Sequence, residues 1–126
     1  MKVTEILQLL SDSTRLRMLR LLGQEELSVA ELQEILEMGQ SRISSNMSLL
    51  RRNQMVLDRK DGKKTFYALS LEDSPKYDLV RLSLKDHSEE DFWESDQSGL
   101  LRILDRRRRE SEKYFDEVAD RLGKNY

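Results

Sequence analysis

The sequence predicts a mainly α protein with one β-hairpin, an α+β chain whose short helices precede the hairpin and whose longer ones follow it. Apolar residues recur at helical spacing through residues 2–52 and again after Pro75. Between those stretches the apolar period falls to two, on either side of Asp61-Gly62. Composition sets the scale. The 126 residues fit one ordinary domain, and charged residues make up 37%, as much as the hydrophobic ones. So modest an apolar content beside so many charges implies long solvated helices, or helices that finish their burial against a second subunit.

The absence of cysteine excludes disulfides and thiolate metal chemistry. No apolar run approaches the roughly 18 residues of a membrane span. The opening MKVTEILQLL has too short an apolar stretch and no small-residue cleavage site for a signal peptide. A soluble, cytoplasmic protein without membrane association is expected.

The first helix is predicted over 2–10, with Val3, Ile6, Leu7, Leu9 and Leu10 at helical spacing. Ser11-Asp12-Ser13 supplies N-cap chemistry for a second helix over 14–22, and Gly23 a C-terminal stop. Ser28 and Glu31 form a capping box that opens a third helix, with Leu32, Ile35 and Leu36 inward and Gly39 breaking it. Ser41 is expected to cap the fourth helix, which runs to about residue 52. There Ile43, Met47 and Leu50 bury one face. Its other face carries Arg42, Ser44, Ser45, Asn46, Ser48, Arg51 and Arg52. Ser and Asn are mediocre helix formers, so their concentration on a solvated face argues for a task.

The runs 55–60 and 63–69 flank Asp61-Gly62, the turn expected for a two-residue hairpin. Beyond it, Pro75 suits the first turn of a helix carrying Tyr77, Leu79, Val80, Leu82 and Leu84. An acidic linker over 87–97 contains Phe92 and Trp93, expected to anchor it on the core. A long helix is predicted over 98–122. Its apolar residues form two clusters, Leu100/Leu101/Ile103/Leu104 and Tyr114/Phe115/Val118/Leu122, the second expected to bury itself against another subunit.

Net charge is −2, but it is unevenly spread. Residues 40–64 hold Arg42, Arg51, Arg52, Arg59, Lys60, Lys63 and Lys64 against Asp58 and Asp61, whereas 86–96 hold acidic residues and no Lys or Arg. Phosphate attraction depends on such local potential rather than on overall pI. A break followed by a polar-faced helix and a basic hairpin is the pattern of a winged helix-turn-helix. The expected partner is double-stranded DNA. Its contacts are Gln40, Ser41, Arg42, Ser44, Ser45, Asn46, Arg51 and Arg52 on the helix and Arg59, Lys60, Lys63 and Lys64 on the hairpin.

The linked motifs LSDSTRLRMLRLL, LSVAELQEIL, GQSRISSNMSLLRRNQMV and DRKDGKKTFYAL, over roughly residues 5–70, resemble the ArsR family of dimeric winged-helix repressors. The resemblance implies a DNA-binding domain over 1–71 and a helical dimerisation or connector region over 72–126. It implies a homodimer on a palindromic operator. The expected interface uses Val3, Ile6, Leu7, Leu10, Leu79, Leu82, Leu100, Leu101 and Leu104. Ser41, Arg42, Ser44, Ser45 and Asn46 match the family's base-reading positions. Ser28 and Ala30 stand where the metal-sensing branch has cysteines, so that metal site is excluded. Asn46-Met47 replaces a common His-Leu, and Gln54 replaces a frequent glycine beside Asn53, which tolerates the left-handed region and is expected to close the helix.

The tail RRRRESEKYFDEVADRLG is similar to the connector that joins ArsR-type domains to S-adenosylmethionine-dependent methyltransferases. That leaves an alternative, the DNA-targeting domain of such a fusion. A third reading is a winged helix serving only protein interaction. No Ser/His/acid or Cys/His set and no glycine-rich phosphate loop points to catalysis or a bound cofactor. No carboxylate is placed at an apolar position. His87 with Glu90 falls short of the four-ligand set zinc takes, so a solvated acidic linker is preferred to a metal site. The 106–109 arginines read as a solvated stretch partnered by Asp105, Glu110 and Glu112 rather than as a DNA arm. A small-molecule effector is left open and no site for it is assigned.

Overall fold

A computed structural model describes residues 1–87 and 89–124, the side chain of Lys124 excepted. The order is α1 (Val3–Leu10), α2 (Ser13–Leu22), α3 (Val29–Leu36), α4 (Gln40–Arg52), β1 (Val56–Asp61), β2 (Lys64–Leu69), a 3-10 turn (Pro75–Tyr77), α5 (Asp78–Lys85) and α6 (Trp93–Lys124). The two strands form one antiparallel hairpin.

Local chemistry explains most of the boundaries. Asp12 caps α2, its carboxylate accepting from the Thr14 and Arg15 N–H groups. The Ser28/Glu31 box opens α3 with both reciprocal bonds made, at 2.9 and 3.2 Å. Three expected boundaries are corrected. The residue that ends α3 is Glu37, in the left-handed region at φ 54, and Gly39 instead begins α4. Ser41 therefore lies inside α4, whose N-cap makes no side-chain bond. At the other end Asn53 closes α4 in ordinary backbone, donating Nδ2–H to the Leu49 carbonyl at 2.8 Å. The left-handed residue is Gln54, at φ 60.

The hairpin turn is also displaced by one residue. Asp61 pairs with Lys64, so the turn is Gly62-Lys63. Gly62 takes its first central position at φ 63, where a type II′ turn needs glycine. Mutual N–H to carbonyl bonds of 2.9 Å between Leu27 and Tyr67 tie the base of the hairpin to the segment before α3.

One apolar core joins every helix to the hairpin base. Ile6, Met18, Leu19, Leu21, Leu27, Leu32, Ile43, Leu50, Met55 and Val80 are wholly buried in it. α6 starts at Trp93, earlier than its apolar periodicity indicates. It packs on α2 and α3 through Leu100 and Ile103. Gly99 makes the α3 approach achievable, because a Cβ there would meet the Ile35 Cγ2 at 3.0 Å and its Cα at 3.3 Å.

The acidic linker is not simply solvated. Asp96 is 4% exposed on the inner face of α6, correcting the expectation that no carboxylate occupies an apolar position. It accepts a two-point pair from Arg17, Nε at 2.9 Å and Nη2 at 2.8 Å, which offsets much of the cost of burying its charge. Phe92 does not anchor the linker in the core. It is exposed, at φ 68, with the Arg17 guanidinium over its ring. His87 stacks on Trp93 with centroids 3.6 Å apart.

Candidate nucleic-acid interface

α4 buries Ile43, Met47 and Leu50, and this fixes what faces outward. Gln40, Ser41, Arg42, Ser45, Ser48, Arg51 and Arg52 are exposed, and Ser44 and Asn46 half-buried. The helix-turn-helix spacing thus brings the expected base-reading residues onto one solvent-facing surface.

Two of these side chains are tied to the start of α2. Arg42 donates from Nη2 to the Thr14 hydroxyl at 2.8 Å, and Thr14 is 1% exposed. Asn46 accepts from Arg15 Nη1 at 3.3 Å and donates to the Arg42 carbonyl at 2.9 Å. Arg15 is in turn held by the Leu9 and Gln8 carbonyls, at 2.7 and 3.2 Å. The first turn of α2 therefore orients two side chains of α4. Sequence reasoning missed Thr14 and Arg15 in this role. Their only local signal was the Asp12 cap, which places both at a helix start; the pairing itself spans 28 and 31 residues.

The hairpin faces differ in a way the charge count did not show. Residues opposite each other share a face, so Lys60/Thr65 lie with Asp58/Tyr67, and Arg59/Phe66 lie with Asp61/Lys64. Asp58 reaches Arg51 of α4 at 3.3 Å, which identifies the first face as the one beside α4. Arg59, counted as a phosphate contact, instead forms a two-point pair with Glu26 and lies over the Phe66 ring. Hydrogen bonding to Arg59 holds the Glu26 carboxyl below its ordinary value despite some desolvation. Lys60, Lys63 and Lys64 are exposed and form no ion pair among the described residues.

The 106–109 arginines divide. Arg108 and Arg109 pair within α6, chiefly with Asp105. Arg106 and Arg107 take other partners than expected, Glu34 and Glu31 of α3; Arg106 stays exposed there, whereas Arg107 is half-buried. Arg107 also donates to the Glu26 carbonyl at 3.0 Å and lies over Phe66.

The expected interface leucines divide as well. Ile6, Leu10 and Leu100 are buried in the chain's own core and cannot meet a partner, and Leu104 packs against that core. Val3, Leu7, Leu79, Leu82 and Leu101 remain exposed, as do Tyr114, Phe115 and Leu122 farther along α6. Among the described residues no group of three His, Cys, Asp or Glu side chains is placed to hold a metal ion, and no helix is long and apolar enough to cross a membrane.

The fold is a winged helix with α3 and α4 as the helix-turn-helix, the architecture of bacterial regulators. Residues 12–56 match the family model described as bacterial regulatory protein, arsR family. The chain is 33% identical over 105 residues to the arsenic resistance transcriptional regulator ArsR2 of Pseudomonas putida, covering 82% of this chain and 89% of that one. It belongs to the arsR family. It is also 39% identical over 69 residues to the transcriptional activator HlyU of Vibrio cholerae, covering 55% of this chain. The match spans 64% of that relative, a little under two thirds. The HlyU structure superposes with a TM-score of 0.54 at 35% identity, over 61% of this chain and 82% of the other. The homodimeric winged helix-turn-helix DNA-binding domain of Mb0332 from Mycobacterium bovis gives 0.56 at 25% identity, over 70% and 82%. These relatives give no support to the methyltransferase-connector reading of the tail.

Proposed function

We propose that the chain is a transcriptional regulator, a repressor, that binds a palindromic operator as a homodimer through α4 and the hairpin. The observation that carries this is the polar face of α4, whose Arg42 and Asn46 are oriented by Thr14 and Arg15 beside an unpaired lysine-rich turn. Arg pairs with guanine and Asn with adenine in the major groove, each worth roughly 1–3 kcal/mol of discrimination. Lys60, Lys63, Lys64 and Arg52 supply sequence-independent phosphate attraction.

The dimer reading draws on the exposed Val3, Leu7, Leu79, Leu82 and Leu101, and on the homodimeric Mb0332 domain. Two copies present two α4 helices, and successive major grooves lie about 34 Å apart, which dictates an inverted-repeat site. Repression follows from occupying such a site within a promoter. Selection of bound fragments from the source genome, followed by competition against scrambled duplex at moderate salt, tests the reading. Enrichment of an inverted repeat is expected. Equal affinity for scrambled duplex overturns it.

A further inference from the structure

From Arg108 to Gly123 every residue of α6 is exposed except Val118, which is half-buried. Tyr114, Phe115, Val118 and Leu122 are outside the chain's core and are not packed against it. Among the described residues, no hydrogen bond or ion pair ties 111–123 to another element. That stretch is about 20 Å of helix. Helices owe most of their stability to packing of an apolar face, which this stretch lacks within its own chain.

Its apolar residues keep a strict phase. Leu101, Arg108, Phe115 and Leu122 recur every seven residues, with Leu104, Ser111 and Val118 three places after the first three of them. This is the core stripe of a two-stranded coiled coil, interrupted in the middle by Arg108 and Ser111. Leu101 is 66% exposed and Phe115 65%, while Leu104 is half-buried at the edge of the chain's own core. Charge divides at the same middle. Residues 102–109 are arginine-rich, with Asp105 their only acid, and 110–117 are acidic, with Lys113 their only base. Arg106 and Arg107 are spent on α3, yet Arg102, Arg108 and Arg109 still leave the first half positive.

We propose that this stripe docks on α6 of a second copy of the chain, antiparallel, with the twofold axis between Arg109 and Glu110. The proposal rests on the homodimer reading and extends that interface from Leu101, which already belongs to it, along α6. In this register Leu101 meets Val118 of the partner subunit, and Leu104 meets Phe115 of the partner subunit. Arg108 meets Ser111 of the partner subunit, and each arginine-rich half lies along an acidic one. A parallel pair would set Arg108 against its own copy and like charges along the whole length, which disfavours it.

The chain has no cysteine, so introduced ones report contacts without background. A disulfide needs the two Cα atoms within roughly 7 Å and therefore reads register. The double variant Leu101→Cys/Val118→Cys is expected to give a covalent dimer on mild oxidation, and neither single variant is. Phe115→Asp, at an exposed position, is expected to raise the dimer dissociation constant at least about tenfold while circular dichroism shows an intact fold. No covalent dimer from the double variant, equally efficient linkage in either single variant, or unchanged dimerisation of Phe115→Asp overturns the arrangement. If the wild type still sediments as a dimer, those results overturn the α6 pairing alone and leave the homodimer reading standing. A monomeric wild type overturns both.

Discussion

Arg107 of α6 forms a two-point pair with Glu31, the same carboxylate that accepts the Ser28 N–H and caps α3. One side chain thus caps the start of the first helix of the helix-turn-helix and fastens it to the longest helix of the chain. Burial pushes the Glu31 carboxyl up, but hydrogen bonds from Arg107 and Ser28 outweigh it and hold the group below 4.5. A carboxylate depressed in the folded state contributes stability above its unfolded value, and that contribution is lost as pH falls through the folded value. Denaturant titrations from pH 6 down to pH 3 are expected to show the wild type losing more stability than Glu31→Gln. Parallel curves would mean that the pair contributes nothing. At neutral pH Glu31→Ala is expected to cost about 1–2 kcal/mol.

The hairpin charges separate into those already paired and those available to phosphate. Lys63→Ala and Lys64→Ala are each expected to reduce the salt slope of operator binding by roughly 0.9. Arg59→Ala is expected to leave the slope nearly unchanged, because Glu26 already occupies its guanidinium. A slope that responds to Arg59 as strongly as to Lys63 would show that this pair opens on DNA.

Asn46→Ala is expected to weaken operator binding by roughly 1–3 kcal/mol while random duplex is bound almost as before. Arg15→Ala removes the donor that orients the Asn46 amide and is expected to move specificity in the same direction by a smaller amount. Competition titrations with operator and random duplex separate these outcomes. Equal losses on both duplexes remove Asn46 from the base-reading set.

Gln54 occupies the left-handed region, where a side chain costs roughly 1–2 kcal/mol and glycine nothing. Glycine's extra unfolded-state entropy takes back part of that gain. Gln54→Gly is therefore expected to stabilise the fold by up to about 1 kcal/mol, read from the denaturant midpoint at constant m-value. Destabilisation would mean that the Gln54 side chain makes a contact worth more than the relieved strain.

Leu82 is 67% exposed and Ile6 wholly buried, although both lie on amphipathic helices. Leu82→Asp is expected to give a folded monomer by sedimentation with lost operator affinity. Ile6→Asp is expected to unfold the chain, since it places an unpaired charge in the core. A wild type that sediments as a monomer at micromolar concentration would sink the dimer reading.

The sequence by itself determined the element order, the buried faces of α3 and α4, the Ser28/Glu31 cap and the presence of a basic hairpin. Each of these is set by neighbours within a few residues, where period and capping chemistry act. The turn register, the Glu37 and Gln54 helix ends and the early start of α6 lay beyond it. Those are settled by what the chain packs against, as the Leu27–Tyr67 bridge and the Arg17–Asp96 pair show. Tertiary structure alone decided which arginines are spent inside the protein. Arg59, Arg107 and Arg17 look like their exposed neighbours in sequence, but carboxylates 33 to 79 residues away claim them. Charge pairing across such separations depends on the folded positions of both partners, and no local pattern encodes it.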